Sequence, residues 1–250
     1  MQQATNTSPS SLRCYGCGGV DFSPVGGKNG YSFLACADCR TAMVNPYPSD
    51  EQLAEFYSNY RMNDSYVARQ NSKMRRSKGR VKRMMRHGAP GKRFLDIGCS
   101  VGYVTVAAHA YGLESFGVDV DATAIEIAKK SFPGQGNFEC ISIHDLAARG
   151  DTFDMAYMSE VIEHVNDPET FIASTAKLLK TGGLLYLTTP DAGHFGVPRD
   201  FVQWNMVTPP NHLTLFTRKG MMALLARHGL KTERFQWAFK PGMKIFARKI

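Results

Sequence analysis

The sequence contains no run of about 18 apolar residues, the length that a membrane-spanning helix needs, so no membrane span is predicted. Its first residues, MQQATNTSPSS, have neither a basic segment nor an apolar core, which excludes a secretory signal. We therefore expect residues 1–12 to form a flexible tail and the protein to be cytoplasmic. Internal repeats are also lacking. Hydrophobic residues make up 43% of the 250, enough for a full-sized core.

Acidic residues are scarce between Arg61 and Arg93, where 12 Lys and Arg residues accompany one acid, Asp64. The stretch RQNSKMRRSKGRVKRMMRH predicts a single basic helix, within a chain whose net charge is +8. Three interpretations are open: a solvated helix face, a surface that attracts an anionic substrate such as a phosphorylated or nucleotide-linked sugar, or a contact with a nucleic-acid backbone. Charge alone does not separate them.

Four of the six cysteines form two Cys-x-x-Cys pairs, Cys14 with Cys17 and Cys36 with Cys39, separated by 18 residues. Four thiolates are the usual closed tetrahedral set for structural Zn²⁺. A disulfide pairing is disfavoured because no secretion signal precedes the cysteines. We therefore predict a small zinc ribbon over residues 13–45. Because cysteine fills every ligand position, the metal is expected to support folding and not catalysis.

The remainder of the chain predicts an α/β fold. Ser49 and Gln52 form a capping-box pattern that starts a helical connector over residues 46–90, which includes the basic helix. From residue 91 to 250 strands alternate with helices, which indicates a doubly wound, mostly parallel Rossmann-like sheet that ends in an antiparallel hairpin. The predicted strands are RFLDIG, SFGVDVD, NFECISI, TFDMAYMS, LLYLTTP, LKTERFQWAF and MKIFARKI, and the predicted helices are GYVTVAAHAYG, ATAIEIAKKSF, DPETFIASTAKLLKTGG and TRKGMMALLARHG.

The stretch FLDIGCSVG runs from a strand into a turn, where doubly wound sheets bind ligands. Gly98 and Gly102 allow close approach of a ligand to the backbone. The next strand ends in Asp119, whose carboxylate can accept both hydroxyls of a ribose. A dinucleotide site needs a third glycine, which is missing, and Asp96 would repel a pyrophosphate. S-adenosylmethionine carries an ammonium and a sulfonium and no phosphate, so the charges favour it.

The chain resembles the class I S-adenosylmethionine-dependent methyltransferases over residues 91–190, in the motifs FLDIGCSVGY, FGVDVD, FDMAYMSEVIEHVNDP and LLKTGGLLYLTTPD. SEVIEHV and PPNHLTLFT are most similar to the branch of ubiquinone-pathway O-methyltransferases and small-molecule or sugar methyltransferases. The ribbon followed by NPYPSDEQLAEFYSNY resembles bacterial members that have an N-terminal zinc-binding domain. One departure is Ser100, where the family often has glycine; serine is small enough that we expect binding to be preserved.

This resemblance implies roles for individual residues. The turn from Asp96 to Gly102 would hold the methionine part of the cofactor, and Asp119 would bind the ribose. Further residues would lie near the adenine or on the methyl-donor side. The complete implied cofactor-binding set is Asp96, Gly98, Ser100, Gly102, Asp119, Val120, Ser142, Ile143 and Ser159.

A hydroxyl acceptor must lose a proton during methyl transfer, so a general base is sought at the acceptor entrance. His164 in EVIEHV is the first candidate, and its alternative is a histidine that packs the loop. Glu160 lies four residues earlier and would orient the imidazole if one helical turn separates them. His212 in PPNHLTLFT is the second candidate. A bound divalent ion is not expected because too few carboxylates cluster here.

The segment 190–212 is long and has no clear periodicity, which is typical of a functional loop, and we interpret it as an acceptor lid. His194, Arg199 and Trp204 are either substrate contacts or lid packing. The sequence therefore predicts a methyltransferase that acts on a hydroxyl of a sugar, glycan precursor or other secondary metabolite.

Two other functions stay open. A methyltransferase of RNA could bind its substrate through the ribbon and the basic helix. Against this, Ser-Glu-Val-Ile follows the fourth strand where amino-directed DNA enzymes have Asp/Asn/Ser-Pro-Pro-aromatic, and no Pro-Cys pair offers a nucleophile. The second open function is that of a non-enzymatic adaptor that has kept a cofactor-binding fold. The sequence does not decide the acceptor molecule or whether oxygen, nitrogen or carbon is methylated.

Overall fold

A computed structural model describes residues 12–49, 51–53, 56 and 70–250. Most of the predicted tail lies outside these ranges, as does most of the helix that follows Ser49. The capping box itself is described and confirmed, because the Ser49 amide donates to Gln52 Oε1 (2.8 Å) and the Gln52 amide to Ser49 Oγ (3.3 Å). Among the described helices, none combines the length and hydrophobicity required to cross a bilayer.

In chain order the strands are β1 (Phe22–Lys28), β2 (Tyr31–Cys36), β3 (Ala42–Asn45), β4 (Arg93–Ile97), β5 (Glu114–Asp119), β6 (Asn137–Cys140), β7 (Phe153–Ser159), β8 (Leu179–Pro190), β9 (Thr214–Leu215), β10 (Leu230–Phe235) and β11 (Gly242–Lys249). The helices are α1 (Gln70–His87), α2 (Tyr103–His109), α3 (Ala122–Ser131), α4 (Ile143–Ala148), α5 (Pro168–Lys177) and α6 (Arg218–Arg227), with a short 3₁₀ helix at Phe201–Gln203.

Seven strands form the main sheet in the order β10-β11-β8-β7-β4-β5-β6. The pairs among β4 to β8 are parallel, and β11 pairs antiparallel with both β8 and β10, so the predicted doubly wound sheet with a terminal hairpin is confirmed. The central strand β7 is buried on both faces up to its last residue, as expected for a parallel strand covered by helices on both sides. The carboxyl ends of β4, β5 and β7 therefore meet at one edge.

Several predicted boundaries differ from the structure; β10, for example, ends at Phe235, four residues before the end of the predicted strand LKTERFQWAF. The strand NFECISI ends at Cys140, because the Ser142 hydroxyl accepts from the Asp145 amide and caps α4. The helix predicted over DPETFIASTAKLLKTGG ends at Lys177, and the following residues belong to β8, whose pairing with β7 is irregular near Phe153. A helix cap thus shortens the predicted strand at the first place, and strand pairing shortens the predicted helix at the second.

The predicted basic helix is α1, which is confirmed from residue 70 onward. Its inner side packs Val81 and Met84 onto the sheet, and Arg80 donates to the Tyr157 hydroxyl (2.5 Å). Its outer side carries six exposed cations, Arg75, Arg76, Lys78, Lys82, Arg83 and Arg86. The helix thus combines a core-facing stripe with a cationic outer face.

The first three strands form a second sheet in the order β1-β2-β3-β9. Its last member comes from beyond residue 190, so the predicted ribbon shares a sheet with the chain segment that follows the predicted lid. Side chains from both parts make one apolar cluster, which includes Phe33, Val44, Trp204, Val207, Leu213 and Leu215. The ribbon and the lid segment are packed together as one unit.

Candidate active site

The turn after β4 has three residues in the left-handed region, Gly98 (φ 68°), Ser100 (φ 49°) and Gly102 (φ 84°). A Cβ at Gly98 would lie 2.6 Å from Val161 Cγ2, and one at Gly102 would lie 2.4 Å from Phe138 Cε1. The two glycines are therefore required by the packing of the protein itself. The ligand approach that the sequence predicts for them stays a prediction.

Ser100 occupies a backbone conformation that costs a non-glycine residue about 1–2 kcal/mol. The departure from glycine seen in the sequence thus concerns backbone conformation as well as size. The Ser100 amide donates to Asp119 Oδ2 (2.8 Å), which helps to hold the turn in this strained form. Asp119 therefore fixes the shape of the glycine turn.

The carboxylate of Asp119 lies half-buried at the end of β5, where its other oxygen, Oδ1, accepts from the Asp121 amide (3.0 Å). Each carboxylate oxygen can accept more than one bond, so lone pairs remain for a ribose. The neighbouring Val120 is 75% exposed, which is unusual for a valine beside a cleft and suits an adenine face. The roles of Asp119 at the ribose and of Val120 at the adenine stay predictions.

Asp96 lies beneath the turn and is only 2% exposed. Its Oδ2 accepts from the Thr105 amide (3.0 Å) and from Thr105 Oγ1 (2.8 Å). Burial raises the pKa of Asp96 to about 7, and the nearby Asp119 charge adds to this rise. A cation in the cleft would lower the pKa again and stabilise the charged form. The site therefore favours a positively charged ligand.

Ser142 and Ile143 are predicted to lie near the adenine, and Ser159 is predicted to lie on the methyl-donor side. Ser142 caps α4, whereas Ile143 is buried in the main core, so the Ile143 side chain does not line the cleft. Its predicted adenine contact is limited to the main chain. On the donor side, Ser159 Oγ lies 2.7 Å from Thr188 Oγ1, which donates to Glu160 Oε1 (2.8 Å).

Glu163, His164 and His212 form a cluster in which one ligand atom of each lies within 4.8 Å of the others. His164 Nδ1 donates to the Asn211 carbonyl (2.7 Å), and His212 Nδ1 donates to the Met206 carbonyl (2.6 Å). In this tautomer the Nε2 atoms of both rings are acceptors. Their rings meet edge to face with centroids 4.7 Å apart.

Glu163 is fully buried, and its Oε2 accepts from Thr189 Oγ1 (2.9 Å). Its Oε1 lies 3.9 Å from His164 Nε2 and has no hydrogen-bond partner among the described residues. Burial, with Glu160 nearby, raises the pKa of Glu163 to about 8. Burial lowers the pKa of His164 to about 4, so this ring is neutral at pH 7. At pH 7 the Glu163 carboxyl therefore keeps its proton, and the free lone pairs of the cluster are those of the two imidazole Nε2 atoms.

The predicted pairing of Glu160 with His164 is wrong. Residues 162–164 form a turn and not a helix, and Glu160 has a left-handed φ of 54°, so the four-residue spacing does not align the side chains. The Asn211 carbonyl orients His164, and the carboxylate nearest to its ring belongs to Glu163. Glu163 was not predicted from the sequence, although its position next to His164 was a usable signal.

The prediction that a divalent ion is not expected counted carboxylates alone and left out the two imidazoles that the structure brings beside Glu163. One carboxylate and two imidazoles converge, a donor set that Zn²⁺ and related cations accept. A cation bound here would also give Glu163 Oε1 a partner, which this oxygen lacks among the described residues. The geometry thus allows the cluster to hold either a proton or a cation.

In the lid segment, His194 and Trp204 pack and do not face a cleft. His194 is buried, with Nδ1 accepting from the Gly196 amide (3.0 Å) and Nε2 donating to the Ala238 carbonyl (3.1 Å). Trp204 is 3% exposed, inside the cluster that the ribbon shares. Both of the residues are therefore assigned to lid packing.

All six cysteines are free, and the Sγ atoms of Cys14, Cys17, Cys36 and Cys39 lie within 4.8 Å of one another. The Sγ–Sγ distances are 3.5 Å for both Cys14–Cys39 and Cys17–Cys36, close to the edge of about 3.8 Å that Zn–S bonds of about 2.3 Å give a tetrahedron. Hydrogen bonds from Cys14 and Thr41 lower the pKa of Cys39 to about 4. The four thiols fit the predicted structural Zn²⁺.

The doubly wound sheet, its glycine turn and the carboxylate at the end of β5 are the features of a fold that binds a nucleoside-bearing ligand. The sequence model of the family described as "Methyltransferase domain" matches residues 66–234, more than half of the chain. The chain belongs to this family, that of the class I S-adenosylmethionine-dependent methyltransferases. The resemblance stated from the sequence motifs is thereby confirmed.

Among curated proteins, the chain is 36% identical over 103 residues to the ubiquinone biosynthesis O-methyltransferase of Mesorhizobium japonicum, covering 40% of this chain and 41% of that protein. It is 37% identical over 100 residues to the enzyme of the same name in Parvibaculum lavamentivorans, covering 39% and 40%. The chain thus spans about two fifths of the length of these relatives.

Solved structures show the same fold at low identity. The 1,6-didemethyltoxoflavin-N1-methyltransferase of Burkholderia thailandensis has a TM-score of 0.59 and 16% identity, covering 91% of this chain and 99% of that one. The magnesium protoporphyrin IX methyltransferase of Synechocystis PCC 6803 has a TM-score of 0.57 and 16% identity, covering 79% and 92%. These two similarities establish the fold alone.

Proposed function

We propose that the protein transfers the methyl group of S-adenosylmethionine to a hydroxyl of a small molecule. The observation that carries this proposal is the cluster of Glu163, His164 and His212, in which the Nε2 atoms of both imidazoles are free to accept a proton. A hydroxyl is the group that would donate into such a cluster. The two relatives are named ubiquinone biosynthesis O-methyltransferases, a name that places the transferred methyl group on oxygen.

When bound, S-adenosylmethionine supplies an electrophilic methyl group on a sulfonium. The chain would bind it through Asp119 at the ribose, the turn of Gly98 to Gly102 at the methionine part, and Val120 at the adenine. In the transfer, the acceptor oxygen forms a bond to the methyl carbon while the bond from sulfur to that carbon breaks. We propose that His164 Nε2 receives the hydroxyl proton, with Nδ1 held by the Asn211 carbonyl.

We further propose that the acceptor is anionic, such as a phosphorylated or nucleotide-linked sugar. The support is the outer face of α1, which carries six exposed cations and no acid. The division into a ribbon (13–45), a connector (46–90) and a catalytic domain (91–250), with 190–212 as the acceptor segment, is part of the same proposal. A cytoplasmic location stays a prediction.

A labelled-methyl experiment tests the function. Purified protein and methyl-labelled S-adenosylmethionine are incubated with a cell extract separated into small metabolites and RNA, and the label is located. We expect it in an anionic metabolite, on oxygen. Label in RNA, with binding that weakens steeply as salt rises, would instead assign the cationic face to a nucleic acid. Cofactor binding without any labelled product would favour an adaptor.

A divalent cation is the second candidate for the role of the cluster, because three ligand atoms converge beside an unpartnered carboxylate oxygen. Glu163, His164 and His212 would hold it, and it would make the acceptor hydroxyl more acidic. The base role predicts that turnover survives EDTA when the cysteine-bound zinc, measured by metal analysis, is retained. A loss of about 10-fold or more, reversed by Mg²⁺ or Mn²⁺, would contradict the base role.

A further inference from the structure

We propose that the ribbon forms part of the acceptor half of the active site, with Asn29 and Tyr47 as positioning residues for His212. This inference rests on the proposed function only in naming that half as the acceptor side. The sequence predicts that the ribbon is a separate folding unit and that the segment 190–212 is a lid. In the structure the two make a continuous contact that reaches the catalytic cluster.

Strand β3 of the ribbon pairs with β9. Ala42 pairs with Leu215 and Met43 with Thr214, both antiparallel, and the Val44 amide donates to the Leu213 carbonyl (2.9 Å). Strand β9 begins two residues after His212. Its conformation therefore depends on the ribbon.

The segment that contains β9 is bonded on its opposite edge to the backbone of Glu163. The amides of Leu213 and Thr214 donate to the Glu163 carbonyl, at 2.8 Å and 3.3 Å. Residues 213–214 thus lie between the ribbon strand β3 and the backbone of Glu163. A shift of this segment would move His212 relative to Glu163, and these two side chains belong to the proton-accepting cluster.

The ribbon also makes polar contacts with the lid segment and with β9. Asn29, at the turn between β1 and β2, donates through Nδ2 to the Pro209 carbonyl (3.1 Å), three residues before His212. Lys28 Nζ donates to the Val202 carbonyl (3.4 Å). The Tyr47 hydroxyl bonds to Thr214 Oγ1. Polar contacts therefore hold His212 from both sides.

The metal ligands connect directly to this arrangement. The loop from Cys36 to Thr41 joins β2 to β3 and is closed by a bond from the Cys36 amide to the Thr41 carbonyl (3.0 Å). The Cys39 carbonyl accepts from Thr217 Oγ1 (2.5 Å), two residues after β9. Closing the four thiolates on Zn²⁺ would fix this loop, and with it the position of β3. The cofactor residues Asp96 and Asp119 are held by separate bonds in the β4–β5 region.

The experiment uses the two tryptophans. In a Trp237→Phe background, emission comes from Trp204, which lies in the ribbon–lid cluster. Asn29→Gly keeps the left-handed turn and removes the bond to Pro209, and Tyr47→Phe removes one hydroxyl. Each is expected to shift Trp204 emission to the red and to speed amide exchange over residues 205–215 by about 10-fold.

Two further readouts separate positioning from general destabilisation. The ¹⁵N NMR signature of His212, which marks the Nδ1-protonated ring, is expected to change to a mixture of tautomers in both variants. Affinity for S-adenosylhomocysteine is expected to stay within about 2-fold, because distant sites contribute independently. Tyr111→Phe, which removes a hydroxyl from an exposed tyrosine, is the matched control and should change nothing.

Cys36→Ser provides the metal arm of the experiment. Zinc content should fall from about one ion per chain to none, with the same Trp204 and His212 changes and with S-adenosylhomocysteine binding retained. Unchanged Trp204 and His212 signals in the Asn29 and Tyr47 variants would overturn the inference, as would loss of cofactor binding together with zinc. None of these readouts measures methyl transfer, so failure of the proposed function would be seen separately.

Discussion

Asp119→Ala is expected to weaken binding of S-adenosylhomocysteine by about 100-fold or more, measured by isothermal titration calorimetry. Two hydrogen bonds from ribose hydroxyls to a carboxylate are worth about 1.5–3 kcal/mol each, and each 1.4 kcal/mol is about tenfold in affinity. The substitution also removes the bond from the Ser100 amide to Asp119 Oδ2, which holds the strained turn. Both losses act on the cofactor side of the cleft.

Two variants control this result. Asp121→Asn removes a charge two residues away but keeps a good helix N-cap for α3, so affinity should stay close to that of the unchanged chain. Asp119→Asn keeps one acceptor oxygen and should give an intermediate loss. If Asp119→Ala binds S-adenosylhomocysteine normally, the assignment of the ribose site to the end of β5 is wrong.

His164→Ala is expected to lower kcat by about 100-fold or more while leaving S-adenosylhomocysteine affinity unchanged. The ring is neutral at pH 7, and its Nε2 lone pair faces the cluster, so its loss removes the proposed proton acceptor. The measurement is turnover with the acceptor found by labelled-methyl transfer, beside calorimetry with S-adenosylhomocysteine. In the unchanged chain kcat/KM should rise between about pH 4 and pH 8, as His164 and then Glu163 lose protons.

His109→Ala is the matched control, because His109 is exposed at the end of α2 and far in the sequence from the cluster. It should keep full turnover. Added Mg²⁺ or Mn²⁺ distinguishes the two roles of His164: recovery of the His164→Ala variant by excess cation would indicate a lost ligand. Full turnover without any added cation would remove His164 from the proton path.

The sheet and the cofactor side follow from local sequence patterns. Short stretches of residues encode the succession of strand, glycine turn and helix. The acid at the end of β5 is encoded in the same local way. Caps such as Ser49 with Gln52 are equally local. Strong local signals of this kind predicted the fold class and the position of Asp119.

The acceptor side depends on contacts between distant parts of the chain, which local patterns do not encode. Pairing of Met43 with Thr214 joins residues that lie 171 positions apart. Glu163 was missed because its burial and its unpartnered oxygen arise only when β8 and the segment before β9 close around it. The pairing of Glu160 with His164 failed because a turn replaced the assumed helix.

The two-residue strand β9 limits how this protein can be divided or recombined. A shortened chain that began near residue 91 would leave Leu213, Leu215 and Trp204 facing water without Phe33 and Val44. An exposed apolar surface of that kind favours aggregation. Exchange of the ribbon between related enzymes would therefore succeed only if residues 190–217 were exchanged with it, so these two distant stretches are expected to change together during evolution.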